Sequence, residues 1–177
     1  MARIEVMLGD ITVLDVDAIV NAANSGLMGG GGVDGAIHSA AGPDLLKECK
    51  QIVAQRHPEI PCPPGDAVIT NAGNLLAKRV IHTVGPIWRG GTQGEPELLA
   101  SCYRKSLLLA EEAGLKSIVF PNISTGVYGY PKEKAAEVAI DAIQRTLPET
   151  PGIKRVVFVC FDKENYALFE RLTLTGQ

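Results

Sequence analysis

Short apolar runs rich in β-branched residues recur at residues 4–8, 18–21, 67–71, 79–84, 117–121 and 155–161. Runs of that length and composition predict β-strands. Several are apolar at nearly every position, the pattern of sheet interior covered on both faces; a half-wet sheet would alternate. Between the runs the apolar spacing becomes helical. Residues 97–113 carry Leu98, Cys102, Leu109 and Ala113 around one slowly drifting face, with Tyr103 and Ser106 beside them. Residues 131–147 open on Pro131, tolerated at a first helical position, and repeat Ala135, Val138, Ala139, Ala142 and Ile143. Residues 33–41 and 44–55 predict two more helices split by Gly42-Pro43, and residues 163–172 a last one. Strands alternating with helices predict an α/β fold, a three-layer α/β/α sandwich. Its central sheet is expected to be mixed, because the first two strands have no room for a crossover helix between them. The proline-rich residues 58–65 and the polar residues 85–96 around Trp88 read as loops within one sheet, and residues 173–177 as a frayed tail.

Composition narrows the class. A length of 177 residues suits a single domain, 1–177, and 46% hydrophobic with 21% charged residues argues against disorder and fibrous architectures. A formal net charge of -3 supplies no overall positive field for nucleic acid or an anionic membrane, so an anion must be held locally, by oriented backbone amides. Cys49, Cys62, Cys102 and Cys160 are far apart, with no C-x-x-C pair, and read as reduced thiols in a core; neither a disulfide framework nor a zinc site is expected. The first residues lack the apolar stretch of a signal peptide, and no apolar run approaches the roughly 20 residues of a membrane span. A reducing, cytoplasmic setting is the expectation.

Two loops carry the candidate chemistry. Residues 19–35 run from strand through Asn21-Ala22-Ala23-Asn24 and Gly29-Gly30-Gly31-Gly32 into a helix. Four successive glycines are costly to order, and one explanation is a ligand approaching too closely for any Cβ; their amides precede a helix N-terminus, which favours an anion. The competing reading is a merely flexible linker. Residues 30–35 also match G-x-G-x-x-G, yet the glycines follow the strand only after a polar stretch, where a dinucleotide fingerprint needs a tight turn. Residues 117–131 repeat the plan: strand, then Ser124-Thr125-Gly126-Val127-Tyr128-Gly129, then a helix after Pro131. Two such loops at the carboxyl ends of neighbouring strands would form a crevice suited to a diphosphate.

Around these loops, Asn21 and Asn24 serve either turn chemistry or ribose binding, with Asn21 expected to be mainly structural and Asn24 functional. Asp34 either stabilises the first helical turn or acts as a base or water-orienting group. Tyr128 or Tyr130 could pack against a sugar, or one of them staple a helix. His38 and His82 read as satisfied structural histidines, and a Cys/His dyad stays open without a local motif. No H-E-x-x-H, G-x-S-x-G or Walker motif occurs.

Taken together, Gly9-Asp10-Ile11-Thr12, Asn21 to Asn24, Gly29 to Gly35 followed by Ala36-Ile37-His38, Val80 to Pro86 and Ser124 to Pro131 resemble the macro domain family. Within it the chain resembles the MacroD-type ADP-ribosyl hydrolases and their bacterial O-acetyl-ADP-ribose deacetylase relatives. The resemblance implies a mixed sheet between helices with an ADP-ribose cleft at its top. It implies that Asp10 accepts from the adenine amino group, that Ile11 lines the adenine pocket and that Phe161 stacks on the ring. The backbone of Gly30, Gly31, Gly32 and Val33 and of Ser124, Thr125, Gly126 and Val127 would wrap the pyrophosphate, with Tyr128 beside the distal ribose. Asn24 and Asp34 correspond to the catalytic pair that positions the distal ribose and the attacking water. A water between Asp34 and a substrate phosphate oxygen needs no metal and no cofactor. Ser39 stands where relatives often carry a basic residue.

Three functions therefore compete. The first is a hydrolase of O-acetyl-ADP-ribose and of mono-ADP-ribosylated protein. The second is a non-catalytic ADP-ribose reader, for which the loops alone would suffice. The third is an NAD-dependent oxidoreductase using residues 30–35. Partners on the leading reading are ADP-ribose, O-acetyl-ADP-ribose or ADP-ribosylated protein, without membrane or general nucleic-acid binding.

Overall fold

Consecutive residues of an interior strand must point to opposite faces, so a strand apolar at every position needs a core on each side. A computed structural model, which describes residues 2–57 and 59–176, has this arrangement. Six strands, β1 (Arg3–Leu8), β2 (Ala18–Ala22), β3 (Ala67–Asn71), β4 (Arg79–Thr83), β5 (Ser117–Phe120) and β6 (Arg155–Cys160), form one sheet in the order β1-β6-β5-β2-β4-β3. Five helices cover it: α1 (Gly32–Ala41), α2 (Pro43–Ala54), α3 (Glu95–Glu112), α4 (Lys132–Thr146) and α5 (Lys163–Gly176). Ala18, Val20, Ile118, Phe120, Val156 and Phe158 pack into the core beneath α3, α4 and α5. Their neighbours Ile19, Val119, Val157 and Val159 pack with Ile37 and Leu45 of α1 and α2 on the other face. No described helix is long and apolar enough to cross a membrane.

The sheet is mixed, as expected, but for a different reason. β1 and β2 run in the same direction with β6 and β5 between them. Residues 9–17 make that crossing with a single 3-10 turn at Ile11–Val13. The antiparallel pair is β3 with β4, whose link, residues 72–78, is too short for a crossover helix.

β2 and β5 pair only at Ala18 with Ile118 and at Ile19 with Val119. Beyond those positions the chain leaves β2 for α1 on one face and β5 for α4 on the other. Departures to opposite faces from adjacent parallel strands leave a crevice at their carboxyl ends.

Most predicted boundaries differ from the observed ones by one or two residues, as hydrogen-bonded ends commonly do. α3 starts at Glu95 with Pro96 inside its first turn, which a proline allows. The chain's end is a correction: residues 173–176 continue α5, because Phe169 is buried and the buried Thr173 hydroxyl donates to the Phe169 carbonyl at 2.6 Å. Gln177, from the expected tail, and Pro58, from the proline-rich loop, lie outside the described residues.

Phe158 is fully buried, with ring centroids of Phe169 at 4.8 Å and Phe120 at 5.9 Å. Phe158→Ala is expected to destabilise the fold by about 3–5 kcal/mol, read from denaturant unfolding.

Candidate functional site

The loop after β2 is shaped by one side chain. Asn24 Oδ1 accepts from the Gly26 amide at 3.1 Å while its Nδ2 donates to the Gly29 carbonyl at 3.0 Å. Asn24 thus performs turn chemistry and also faces the crevice. Leu27, at φ +62, anchors the loop with a fully buried side chain. The glycines that follow have distinct causes. Gly29 and Gly32 have φ of +89 and +57. A Cβ on Gly35 would lie 2.5 Å from the Gly30 carbonyl oxygen. A Cβ on Gly30 would sit 3.2 Å from Asn24 Nδ2 and 3.3 Å from Asp34 Oδ2, between the two side chains. Gly31 alone of this group has neither a positive φ nor a protein atom within 4 Å of its would-be Cβ. Its surroundings are open space on the crevice side. No side chain caps α1, so its first amides remain available to an anion.

The second loop is closed by the Tyr130 amide donating to the Ser124 carbonyl at 2.9 Å and the Gly129 amide to the Gly126 carbonyl at 3.0 Å. Ser124 has φ +69, and its hydroxyl donates inward to the Pro86 carbonyl at 2.8 Å, so it turns backbone toward the crevice. Residues 85–94 buttress this loop. The Trp88 amide donates to the Tyr128 carbonyl at 2.8 Å, and its ring packs on buried Tyr130 at 4.6 Å between centroids. Tyr128, by contrast, lines the crevice.

Sequence reasoning missed what holds that buttress. The buried Glu95 carboxylate accepts from the amides of Arg89 at 2.8 Å, Gly91 at 2.9 Å and Gln93 at 2.6 Å. Burial pushes the carboxyl upward, but the backbone amides outweigh it and hold its pKa at about 2. A glutamate in a first helical turn has an ordinary dipole explanation, so nothing local distinguishes it.

Between the loops lies a cavity of about 620 Å³. It brings together Asn24, Gly30, Gly31, Gly32, Val33 and Asp34 from one side, Ser124, Thr125, Gly126, Val127 and Tyr128 from the other, and Phe161. Asp10 and Ile11 are not among its lining residues. Asp10 Oδ1 accepts from the Thr12 hydroxyl at 2.7 Å and amide at 2.9 Å, which hold its carboxyl below the usual range, and Ile11 is buried in the core. Asn122, Asp162 and Asn165 line the cavity unanticipated; the readable signal was an aspartate just before a helix. Among the described residues that line it there is no lysine or arginine, so an anion would meet neutral donors, the loop amides among them.

Asp34 is 5% exposed. Its Oδ1 accepts from Asn21 Nδ2 at 2.8 Å and lies 3.4 Å from His38 Nε2, without hydrogen-bond geometry; Oδ2 is the oxygen on the Gly30 side. Asn21 Nδ2 also lies 3.1 Å from His82 Nδ1, and His82 Nε2 lies 3.0 Å from Thr70 Oγ1. Burial, with a smaller effect of His38, pushes the His82 pKa down to about 3, leaving the ring neutral. Behind Asp34, His38, Cys49 and His82 place ligand-type atoms within 4.8 Å of one another. Both His82 nitrogens are engaged, and burial followed by the Asp34 charge pushes the Cys49 thiol up to about 11. Cys49 and His82, 4.0 Å apart, form a packed pair away from the cavity lining, and the geometry does not suit a nucleophilic dyad.

The family model described as Macro domain matches residues 20–139. The O-acetyl-ADP-ribose deacetylase of Cronobacter sakazakii is 58% identical over 170 residues, 96% of this chain and 93% of the relative. A Cupriavidus necator macro domain-containing protein is 56% identical, covering 97% of this chain and 98% of its own. Among solved structures, the Oceanobacillus iheyensis macrodomain with ADP superposes with a TM-score of 0.91 at 44% identity, over 98% of this chain and 90% of that one. The Trypanosoma brucei macrodomain in complex with ADP-ribose gives 0.84 at 42%, over 95% and 68%.

The Glu95 carboxyl drops from 4.5 to about 2 on folding, so between those values the unfolded chain binds more protons. Its contribution is complete above about pH 4.5 and is lost as pH falls toward 2. Glu95→Gln is therefore expected to be less stable than wild type at pH 6, with the difference shrinking on acidification, in paired denaturant titrations.

Proposed function

The chain belongs to the macro domain family, and from that membership we propose that it binds ADP-ribose and hydrolyses esters at the distal ribose. O-acetyl-ADP-ribose is one such substrate, and mono-ADP-ribose esterified to acidic protein side chains is the other. The observation that carries this reading is the placement of Asn24 and Asp34 on either side of Gly30, at the mouth of two loops that present amides rather than cations. Relatives with 58% and 59% identity bear the deacetylase name.

In this reading, the amides of residues 30–33 and 124–127 bind the pyrophosphate, Tyr128 packs by the distal ribose and Phe161 stacks on adenine. Both Thr12 bonds go to Oδ1 of Asp10, and Oδ2 is assigned to the adenine amino group, with Ile11 supporting that end. Asn24 orients the ribose, while Asp34 Oδ2 and a substrate phosphate oxygen hold the water. For the acetyl ester, that water adds to the acyl carbon, the bond to the ribose oxygen breaks, and the proton passes to the leaving hydroxyl. Carboxylic acid and free ADP-ribose result. The reaction requires no metal or cofactor, because positioning and a nearby base suffice for an activated ester. The chain works as one domain, since β1 near its start pairs with β6 near its end. Four free buried thiols favour a reducing cytoplasm, and the net charge of -3 disfavours general nucleic-acid binding.

Asp34→Ala is expected to lower acetate release from O-acetyl-ADP-ribose by roughly 10²–10⁴-fold while calorimetric affinity for ADP-ribose stays within a few-fold. Wild-type protein that binds ADP-ribose yet turns over neither substrate would leave only a reader. Gly30→Ala places a methyl between Asn24 and Asp34; turnover should fall with no loss of thermal stability beyond about 1 kcal/mol.

A further inference from the structure

We propose that Thr70, His82 and Asn21 form a positioning relay that orients the Asp34 carboxylate from the interior of the protein, an inference that rests on the hydrolytic reading of Asp34. The relay starts on the edge strand β3. Thr70 Oγ1 lies 2.9 Å from the Asn71 carbonyl oxygen and 3.5 Å from that of Val80, two groups that only accept. The single hydroxyl hydrogen goes to the nearer carbonyl, so toward His82 Nε2, at 3.0 Å, the hydroxyl can only accept. Nε2 therefore carries the hydrogen of the neutral ring, and Nδ1 is left as an acceptor. The group facing Nδ1 at 3.1 Å must donate, which makes it the amide nitrogen of Asn21. The second hydrogen of that nitrogen points to Asp34 Oδ1 at 2.8 Å.

The far end gives the same orientation independently, because a carboxylate requires a donor. Asn21 Oδ1 is buried with no partner, so the amide is not oriented by satisfying its own oxygen. Turned over, it would aim that oxygen at both His82 Nδ1 and the Asp34 carboxylate. Asn21, Thr70 and His82 are each fully buried, and none of the three lines the cavity. They act on Asp34 and not on ligand. With Oδ1 tied inward, Oδ2 is left on the Gly30 side.

Thr70→Val keeps the shape of the side chain and removes the near acceptor for His82 Nε2–H, leaving only the Cys49 sulfur at 4.0 Å. The ring can then shift its hydrogen to Nδ1, where it opposes the Asn21 amide and releases the carboxylate. The expected result is a fall in kcat for O-acetyl-ADP-ribose of roughly 10-fold or more, with ADP-ribose Kd within about twofold by calorimetry. Thr70→Ser, which restores the hydroxyl, recovers the rate. Nitrogen-15 spectra of the His82 ring should show hydrogen on Nε2 in the wild-type and Ser proteins and a mixture in the Val protein. A folded Thr70→Val protein with wild-type kcat overturns the relay, as does a rate loss that Ser fails to recover or a Kd that rises in step with it. Asp34→Ala run alongside separates the two failures. If Asp34→Ala is inactive and Thr70→Val is fully active, only the relay falls; if Asp34→Ala retains wild-type turnover, the role of Asp34 itself falls and the relay with it.

Discussion

The pairing of β2 with β5 is the constraint on which the site depends. It lasts for two residue pairs, Ala18 with Ile118 and Ile19 with Val119. Parallel pairing sends both chains out of the sheet at the same end, and the opposite faces taken by α1 and α4 forbid either loop from filling the gap. Longer pairing would zip the crevice shut; none would let the loops drift apart. Everything chemical in the molecule is arranged around that short contact.

The crevice then solves an electrostatic problem without cations. Its lining includes Asp34 and Asp162 and, among the described residues, no basic side chain, so a phosphate-bearing ligand would depend on neutral donors, the loop N–H groups foremost. Those donors cost nothing to keep in place once the loops are rigid. Rigidity on one side comes from Asn24 and buried Leu27, on the other from Ser124, Trp88 and the three amides gathered by Glu95. A fixed dipole array stays aimed when water is displaced, whereas a lysine would have to be ordered at each binding event.

Much of this was legible in the sequence because it rests on local signals. Strand positions followed from apolar runs such as residues 155–161, and the two loops from glycine, serine and threonine clusters preceding helices. The strand order was not legible: the brevity of residues 9–17 suggested neighbouring strands of opposite sense, while the chain in fact crosses two strands with one 3-10 turn. Within the loops, sequence assigned the glycines one common cause, and the structure separates backbone angle at Gly29 and Gly32, carbonyl contact at Gly35, crowding by side chains at Gly30 and open space at Gly31. Contacts spanning distant segments stayed hidden. Asn21, Thr70 and His82 are each unremarkable alone, and only the register of β2, β4 and β3 lines them up. Glu95 was invisible for another reason, since its partners, though only two to six residues away, are main-chain amides that any sequence supplies.

The meeting of Gly85 with Ser124 couples two distant parts of the chain. A Cβ at Gly85 would lie 2.1 Å from Ser124 Oγ, and that oxygen is fixed by its bond to the Pro86 carbonyl while Ser124 itself holds a left-handed backbone. A side chain at Gly85 is therefore excluded while Ser124 and Ile123 keep their places. An alanine there would also meet Ile123 Cγ2 at 2.6 Å, so shrinking Ser124 to glycine would not by itself make room for it and would surrender the hydroxyl that pins the loop. In the space of possible sequences Gly85 is thereby held by two neighbours at once and has almost no permitted alternative.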